Sequence, residues 1–208
     1  MTSPVHYFIR HGQTDWNAER RFQGQTDIPI NRLGRQQAAK NGAVLKALLS
    51  AEEIGSIAFV SSPLQRARQT MEIIRQTMAL PPEDYSVEPT LKELSFGTWE
   101  GHTLDELRQS QTGAVDARQA DKWNFTPPDG ESYQNLCDRV LPWVRQQTNS
   151  SIIVCHGGII RTLLLTYLGL TETEASNHHT PHDRIIMISG FRNAYRHWFQ
   201  FLQIHHTS

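Results

Sequence analysis

Hydrophobic and polar positions along this chain follow two periods that alternate with each other. Short apolar runs at residues 5–9, 57–60, 85–89 and 152–155 have the length and β-rich composition of strands, and 184–189 and 197–204 read as two more. Between them the spacing is helical. Ala38, Val44, Leu45 and Leu48 mark one apolar face of a helix over 35–49. A second helix is expected to start at Ser62 as N-cap, with Pro63 at the first helical position, and to run to about Met78. Ser132 caps a third over 133–147, where Pro142 removes one backbone bond and predicts a kink near Asp138. A fourth, over 159–168, follows the strand at 152–155 directly. The stretch 93–101 is a loop rich in glycine and aromatic residues, and the pattern then weakens as far as Gly130, with a short helix over 104–108. We read 97–131 as a lid-like insertion in a single domain spanning 1–208. Strands alternating with helices predict an α/β fold with a mostly parallel central sheet covered by helices on both faces.

Two of the strands deliver chemistry at the same place. Arg10-His11-Gly12 ends the first run and His156-Gly157 ends the run at 152–155, so each strand presents a histidine and then a glycine at its C-terminal end. Ligands of parallel α/β sheets collect outside those ends, so the two histidines can converge although they are far apart in sequence. Arg66, near the start of the helix after the strand at 57–60, joins them. Such a cationic pocket suits a phosphoryl group, which guanidinium forks bind bidentately and whose transfer needs chiefly positioning and charge stabilisation. Arginine beside imidazole also favours the neutral, nucleophilic ring. At an effective dielectric of about 20 and about 5 Å, the repulsion is roughly 3 kcal/mol, or about 2 pKa units.

The charge is local. The 208 residues carry a formal net charge of -1, which removes the general attraction to nucleic acid or to an anionic membrane. The longest apolar stretch, 159–170, is interrupted by Arg161 and is too short to span a bilayer, and Arg10-His11 falls where a signal peptide needs apolar residues. A cytoplasmic location is expected. Cys137 and Cys155 are too few for a disulfide framework and read as free thiols. His178, His179 and His182 lack a carboxylate partner at helical ligand spacing and read as a solvent-exposed loop, so neither a metal site nor a cofactor is expected. Nothing in the sequence sets the oligomeric state.

Several ordered motifs carry a family likeness: the RHG-x-T-x-W-N run at residues 10–17, the SSPLxRAxQT run at 61–70, the stretch from Glu93 to Gly101, the P-x-G-E-S run at 128–132, and His156-Gly157. In these the chain resembles the histidine phosphatase superfamily, also called phosphoglycerate mutase-like. The resemblance implies a three-layer α/β/α sandwich and a metal-independent reaction on a small phosphorylated metabolite through a phosphohistidine. It makes His11 the nucleophile, Glu93 the proton donor to the leaving group, and His156 a catalytic residue. Phosphate would be held by Arg10, Arg66, His156 and Gly157, with Asn17 supporting the pocket. Gln23, Gly24, Phe96 and Trp99 stand as candidate substrate contacts, although packing under the lid explains Trp99, Trp123, Phe125 and Tyr133 about as well.

Three other readings compete. A phosphoglycerate mutase must grip a second acidic group, yet this chain has Phe96 where the mutases resembled here carry tyrosine, Gly158 where they carry asparagine, and in the lid only isolated Arg108, Arg118 and Lys122 in place of paired arginines. Hydrolysis is favoured. Residues 155–162 also satisfy C-x-x-G-x-x-R-[ST], the phosphate loop of cysteine-dependent phosphatases, with Cys155 as nucleophile and Arg161 as phosphate ligand. That reading leaves the motifs at 10–17 and 61–70 unexplained. A non-catalytic member binding phosphorylated ligands or a partner protein would be favoured by loss of the nucleophile or an arginine, and all are present.

Overall fold

The computed structural model describes residues 4–189 and, for 198–202, the backbone path. The first strand, β1 (Val5–Arg10), is followed by a one-turn helix α1 (Asp15–Ala18), then α2 (Arg32–Leu48), α3 (Ala51–Ser56), β2 (Ala58–Ser61) and α4 (Gln65–Thr77). A two-residue strand β3 (Ser86–Val87) leads to 3-10 turns at Pro89–Leu91 and Gly97–Trp99, and to α5 (Leu104–Ser110) and α6 (Thr112–Ala120). The chain closes with α7 (Tyr133–Gln146), β4 (Ser151–Cys155), α8 (Gly157–Leu168), α9 (Glu172–Asn177), β5 (Ile185–Ser189) and β6 (Trp198–Leu202). No helix among the described residues is long and apolar enough to cross a membrane.

The sheet order is β3-β2-β4-β1-β5-β6. Strands β3, β2, β4 and β1 are parallel, whereas β5 pairs antiparallel with β1 and β6 antiparallel with β5. The expected mostly parallel α/β sheet is present. Alternation along the central strands builds its two covers. Phe8, Ile153 and Cys155 face Leu136 and Val140 of α7 and Ile159 and Leu163 of α8. Tyr7, Ile9, Ile152 and Val154 face the other way, onto Leu45 of α2 and Met71 and Ile74 of α4. Both faces of β4 are therefore dry, which is why its sequence is continuously apolar rather than alternating. Strands β1 and β4 are neighbours in a register that sets Arg10 opposite Cys155. The residues just beyond them, His11 and His156, emerge side by side.

Several boundaries depart from the expectation. Helix α4 starts at Gln65, not at Pro63, with Leu64 as an N-cap that makes no side-chain bond. Ser62 is therefore not a helix cap; its hydroxyl serves His156 instead. Helix α2 begins three residues before 35 because Asn31 caps it, accepting from the Gly34 N–H. Helices α3 and α9 open with capping boxes, Ser50 with Glu53 and Thr171 with Glu174, a pattern visible in the sequence that apolar periodicity alone does not reveal. Helix α7 continues through Pro142. Of the final expected strand, 197 and 203–204 lie outside the described residues.

Helices α5 and α6 rest on a third apolar cluster of Trp99, Leu107 and Val115, joined by Phe22, Phe96 and Phe125. One turn anchors this segment to the body. Gly97 has φ 53, in the left-handed region, and a Cβ there would run into the Pro128 carbonyl, so only glycine fits.

Candidate active site

His11 directly follows β1 and is 2% exposed. Its Nδ1 lies 2.8 Å from the Gly12 carbonyl oxygen, which can only accept, so in the neutral ring Nδ1 carries the proton and Nε2 carries the lone pair. No described residue bonds Nε2. Burial lowers the His11 pKa well below the ordinary histidine value, and Arg66, His156, Arg10 and His182 lower it further. The ring is therefore held neutral, with its nucleophilic nitrogen free.

The glycine after it is as constrained as the histidine. A Cβ on Gly12 would strike the backbone of Gly34, so β1 and α2 approach closer here than any side chain permits. The Gly12 N–H donates to Thr70 Oγ1 at 2.9 Å, and that hydroxyl donates to the Arg66 carbonyl at 2.7 Å. Helix α4 and the His11 turn are thus tied together through Thr70.

Around His11 three buried side-chain nitrogens wait without partners. Arg66, the second residue of α4, is fully buried and gives Nη1 to the Thr26 carbonyl (2.8 Å) and Nη2 to the Gly24 carbonyl (2.6 Å). Arg10 gives Nη1 to the Thr180 carbonyl (2.6 Å). His156, the N-cap residue of α8, has Nε2 2.7 Å from Ser62 Oγ, and its ring centroid stands 5.2 Å from that of His11. In each of the three one ring or guanidinium nitrogen, Arg10 Nε, Arg66 Nε and His156 Nδ1, is buried with no bond. Unmade bonds of this kind are costly unless a ligand completes them. Burial brings both arginines down to about 10, for Arg10 with help from Arg161 and for Arg66 against the opposing pull of Glu93. They remain cations at neutral pH.

Glu93 sits at the rim, half-buried. Its Oε1 accepts from the Leu94 N–H (2.9 Å) and the Gly158 N–H (3.1 Å), while Oε2 has only a longer contact with Gly158 (3.2 Å). A Cβ at Gly158 would occupy the place of Oε1, so the glycine is what lets the carboxylate rest on the first turn of α8.

The other sequence candidates fall into three groups. Gly157 lies beside the pocket, where a Cβ would meet Thr180 Oγ1 at 3.0 Å and Arg10 Nε at 3.4 Å, and Gly24 contributes its carbonyl to Arg66. Asn17 is occupied with the α1 capping box, its Oδ1 accepting from the Thr14 N–H and hydroxyl. Gln23 is buried with Oε1 unpartnered, and Phe96 packs on Phe22 with ring centroids 4.7 Å apart. Trp99 is a correction. It is fully buried in the third cluster, donating Nε1 to Gln111 at 2.9 Å, and is packing rather than a substrate contact.

The cysteine reading fares worse. The Cys155 side chain points into the sheet core, 0% exposed, and burial with Glu93 nearby pushes its thiol well up, opposite to what a thiolate nucleophile needs. Arg161 bonds the His178 carbonyl and the Tyr133 hydroxyl.

Two contributors, His182 and Thr180, carry no sequence motif, and a third, Glu100, lies in the 93–101 motif with no role read for it. His182, expected on a solvent-exposed loop, is half-buried with its ring 5.5 Å from His11, and its Nδ1 donates to the His11 carbonyl at 2.6 Å. Thr180 holds Arg10 from the same loop. Glu100 accepts from the Gln25, Thr26 and Phe96 N–H groups and from the Thr26 hydroxyl, fixing the loop whose carbonyls receive Arg66. Nor are Arg118 and Lys122 isolated. Burial and then Arg161 lower Arg118, and burial, Arg161 and Arg118 lower Lys122 to about 8.

Residues 6–197 match the model of the histidine phosphatase superfamily, branch 1. The chain belongs to that superfamily. Over 177 residues it is 37% identical to the Escherichia coli O1:K1 protein named Probable phosphoglycerate mutase GpmB, covering 79% of this chain and 74% of that one. Among solved structures, the mycobacterial glucosyl-3-phosphoglycerate phosphatase superposes with a TM-score of 0.74 at 27% identity, over 90% of this chain and 91% of that one. The alpha-ribazole phosphatase from Shigella flexneri does so with 0.73 at 24%, over 88% and 89%, a likeness of fold. The phosphoglycerate mutase-like three-layer sandwich of this superfamily is the fold of this chain.

Proposed function

We propose that this histidine phosphatase is a metal-independent phosphomonoesterase that transfers the phosphoryl group of a small metabolite to His11 and then to water. The observation that carries the reading is the free, deprotonated Nε2 of His11 beside three buried unpartnered nitrogens, two of them guanidinium donors on Arg10 and Arg66 and the third on the His156 ring. Nε2 attacks phosphorus, the ester P–O bond breaks, and the departing oxygen takes a proton from Glu93, whose less encumbered Oε2 is the atom to carry it. In the second half Glu93 takes a proton from the attacking water, the P–N bond breaks, and inorganic phosphate leaves with His11 neutral again. The two arginines and the His156 ring stabilise charge on the equatorial oxygens. They supply the positive charge that a divalent metal provides elsewhere.

Hydrolysis is favoured over mutase chemistry by Phe96, which has no hydroxyl to offer, and by Gly158, where any side chain would displace Glu93. The test is phosphate release across a panel of phosphorylated metabolites ranked by kcat/KM, together with 3-phosphoglycerate incubated with a bisphosphoglycerate primer. Free phosphate should appear faster than the 2-isomer. The opposite order makes the protein a mutase.

A further inference from the structure

Gly12 stands where the chain is softest and where it has to be stiffest. The approach of Gly34 forbids any side chain at this position, so the residue next to the nucleophile keeps the wide φ/ψ freedom of glycine. Its carbonyl nevertheless has a fixed task. It accepts from His11 Nδ1 at 2.8 Å and so decides which ring nitrogen carries the proton. A carbonyl that swings away releases that proton to Nε2, its favoured site in free histidine, and the nucleophilic lone pair is lost.

Three side chains hold the two peptide units that meet at Gly12. In the unit joining His11 to Gly12, the carbonyl accepts from His182 Nδ1 at 2.6 Å and the N–H donates to Thr70 Oγ1 at 2.9 Å. In the unit joining Gly12 to Gln13, the carbonyl takes the His11 ring proton and the N–H donates to Gln37 Oε1 at 2.9 Å. All four polar atoms are thereby bonded, and each plane is gripped at both ends. Thr70 belongs to α4 and Gln37 to α2, whereas His182 reaches in from the loop ahead of β5. That loop is itself anchored. The His182 carbonyl accepts from Asn41 Nδ2 of α2 at 3.1 Å, and the Thr180 carbonyl accepts from Arg10 Nη1 at 2.6 Å.

We infer that His182 is a positioning residue for the nucleophile: with Thr70 and Gln37 it clamps the backbone on both sides of Gly12, and so keeps His11 in the Nδ1–H form that leaves Nε2 free to attack phosphorus. The attack itself rests on the phosphatase reading. What His182 supplies is a single N–H, the shortest of the four bonds, so another residue that offers an N–H from the same place suffices. Asparagine does, because its Nδ2 takes the position of histidine Nδ1. Leucine fills similar space with no donor.

The His11 tautomer is read from the 15N shifts of the ring nitrogens in histidine-labelled protein at neutral pH, without substrate, the signals being assigned by their loss in His11→Ala. Wild type and His182→Asn should show the Nδ1–H form, and His182→Leu should populate Nε2–H. On the best-hydrolysed phosphomonoester, His182→Leu should lower kcat by roughly ten- to a hundredfold with KM changed by less than about threefold, the signature of a misaimed nucleophile. His182→Asn should stay within about threefold of wild type in both. If wild type hydrolyses none of a panel of phosphomonoesters, the phosphatase reading fails, and the tautomer alone decides the clamp. If His182→Leu does not fold, Gln37→Met on half-buried Gln37 reads the same clamp, and Nε2–H should appear there. A His11 ring that stays wholly Nδ1–H in whichever of these two variants is read, or an asparagine variant no better than the leucine one, overturns the inference.

Discussion

At the scale of single residues, the site separates groups by what they lack. His11 Nε2 lacks a protein partner and is the reacting atom, so His11→Ala should lower phosphate release by several orders of magnitude, whereas Cys155→Ala should stay active because that thiol is sealed in the core. Phosphate assays on both folded variants check this, and an active His11→Ala enzyme would reverse the assignment. Glu93 offers a finer test. Protonation matters in proportion to how poor the leaving group is, so Glu93→Gln should slow alkyl phosphates by roughly a hundredfold or more and p-nitrophenyl phosphate by under about tenfold. Equal slowing in a stably folded variant would remove Glu93 as general acid. The residues readable from sequence were those set in local motifs, such as Arg10-His11-Gly12 or Arg66 within 61–70. His182 and Thr180 were not readable, because they act from across the sheet on β1, some 170 positions away, through a carbonyl and a guanidinium that leave no local pattern.

At the scale of elements, glycines decide how closely α8, the 93–101 loop and the 97–131 segment approach one another. Gly158→Ala should push Glu93 off the first turn of α8 and reproduce the leaving-group dependence of Glu93→Gln in milder form, with little change in Tm. Gly97→Ala should act differently: strained φ and a clash with Pro128 predict a loss of more than about 1 kcal/mol in unfolding free energy, read by urea titration. Strands and the long helices were legible because their apolar residues keep period. Helix α4 began later than its Ser-Pro signal because Ser62 is used by His156, a tertiary demand overriding a local one. Within 97–131 the short helix over 104–108 was legible and is α5, whereas α6 was not, since it is short and the apolar partners of its cluster, Phe22 and Trp99, lie outside it.

For the whole molecule, buried neutral histidines set an acid limit. Burial lowers His6 to about 4, and burial with Arg10 lowers His182 to about 3. Above the unfolded value near 6.5 neither state takes up a proton; below it the unfolded chain protonates first, so stability is lost as pH falls from about 6.5 toward 4 and then 3. Between pH 7 and pH 5 each should cost roughly 2 kcal/mol, and His6→Gln should flatten the decline if it still folds. Denaturant midpoints across that range measure it, and a pH-independent midpoint would contradict the burial. Prolonged chelation should leave the rate nearly unchanged, since arginines carry the charge. Loss of activity restored by a divalent ion would count against the mechanism. Finally, the adjacency of β1 and β4 has a bearing on biosynthesis. The strand that brings His11 is made well before its neighbour in the sheet, Ser151–Cys155, which leaves the ribosome only after some 140 further residues. Until then the first histidine has no second one beside it and β1 lacks its parallel partner, so a chain arrested before β4 should hold no phosphate, however much of its earlier structure has formed.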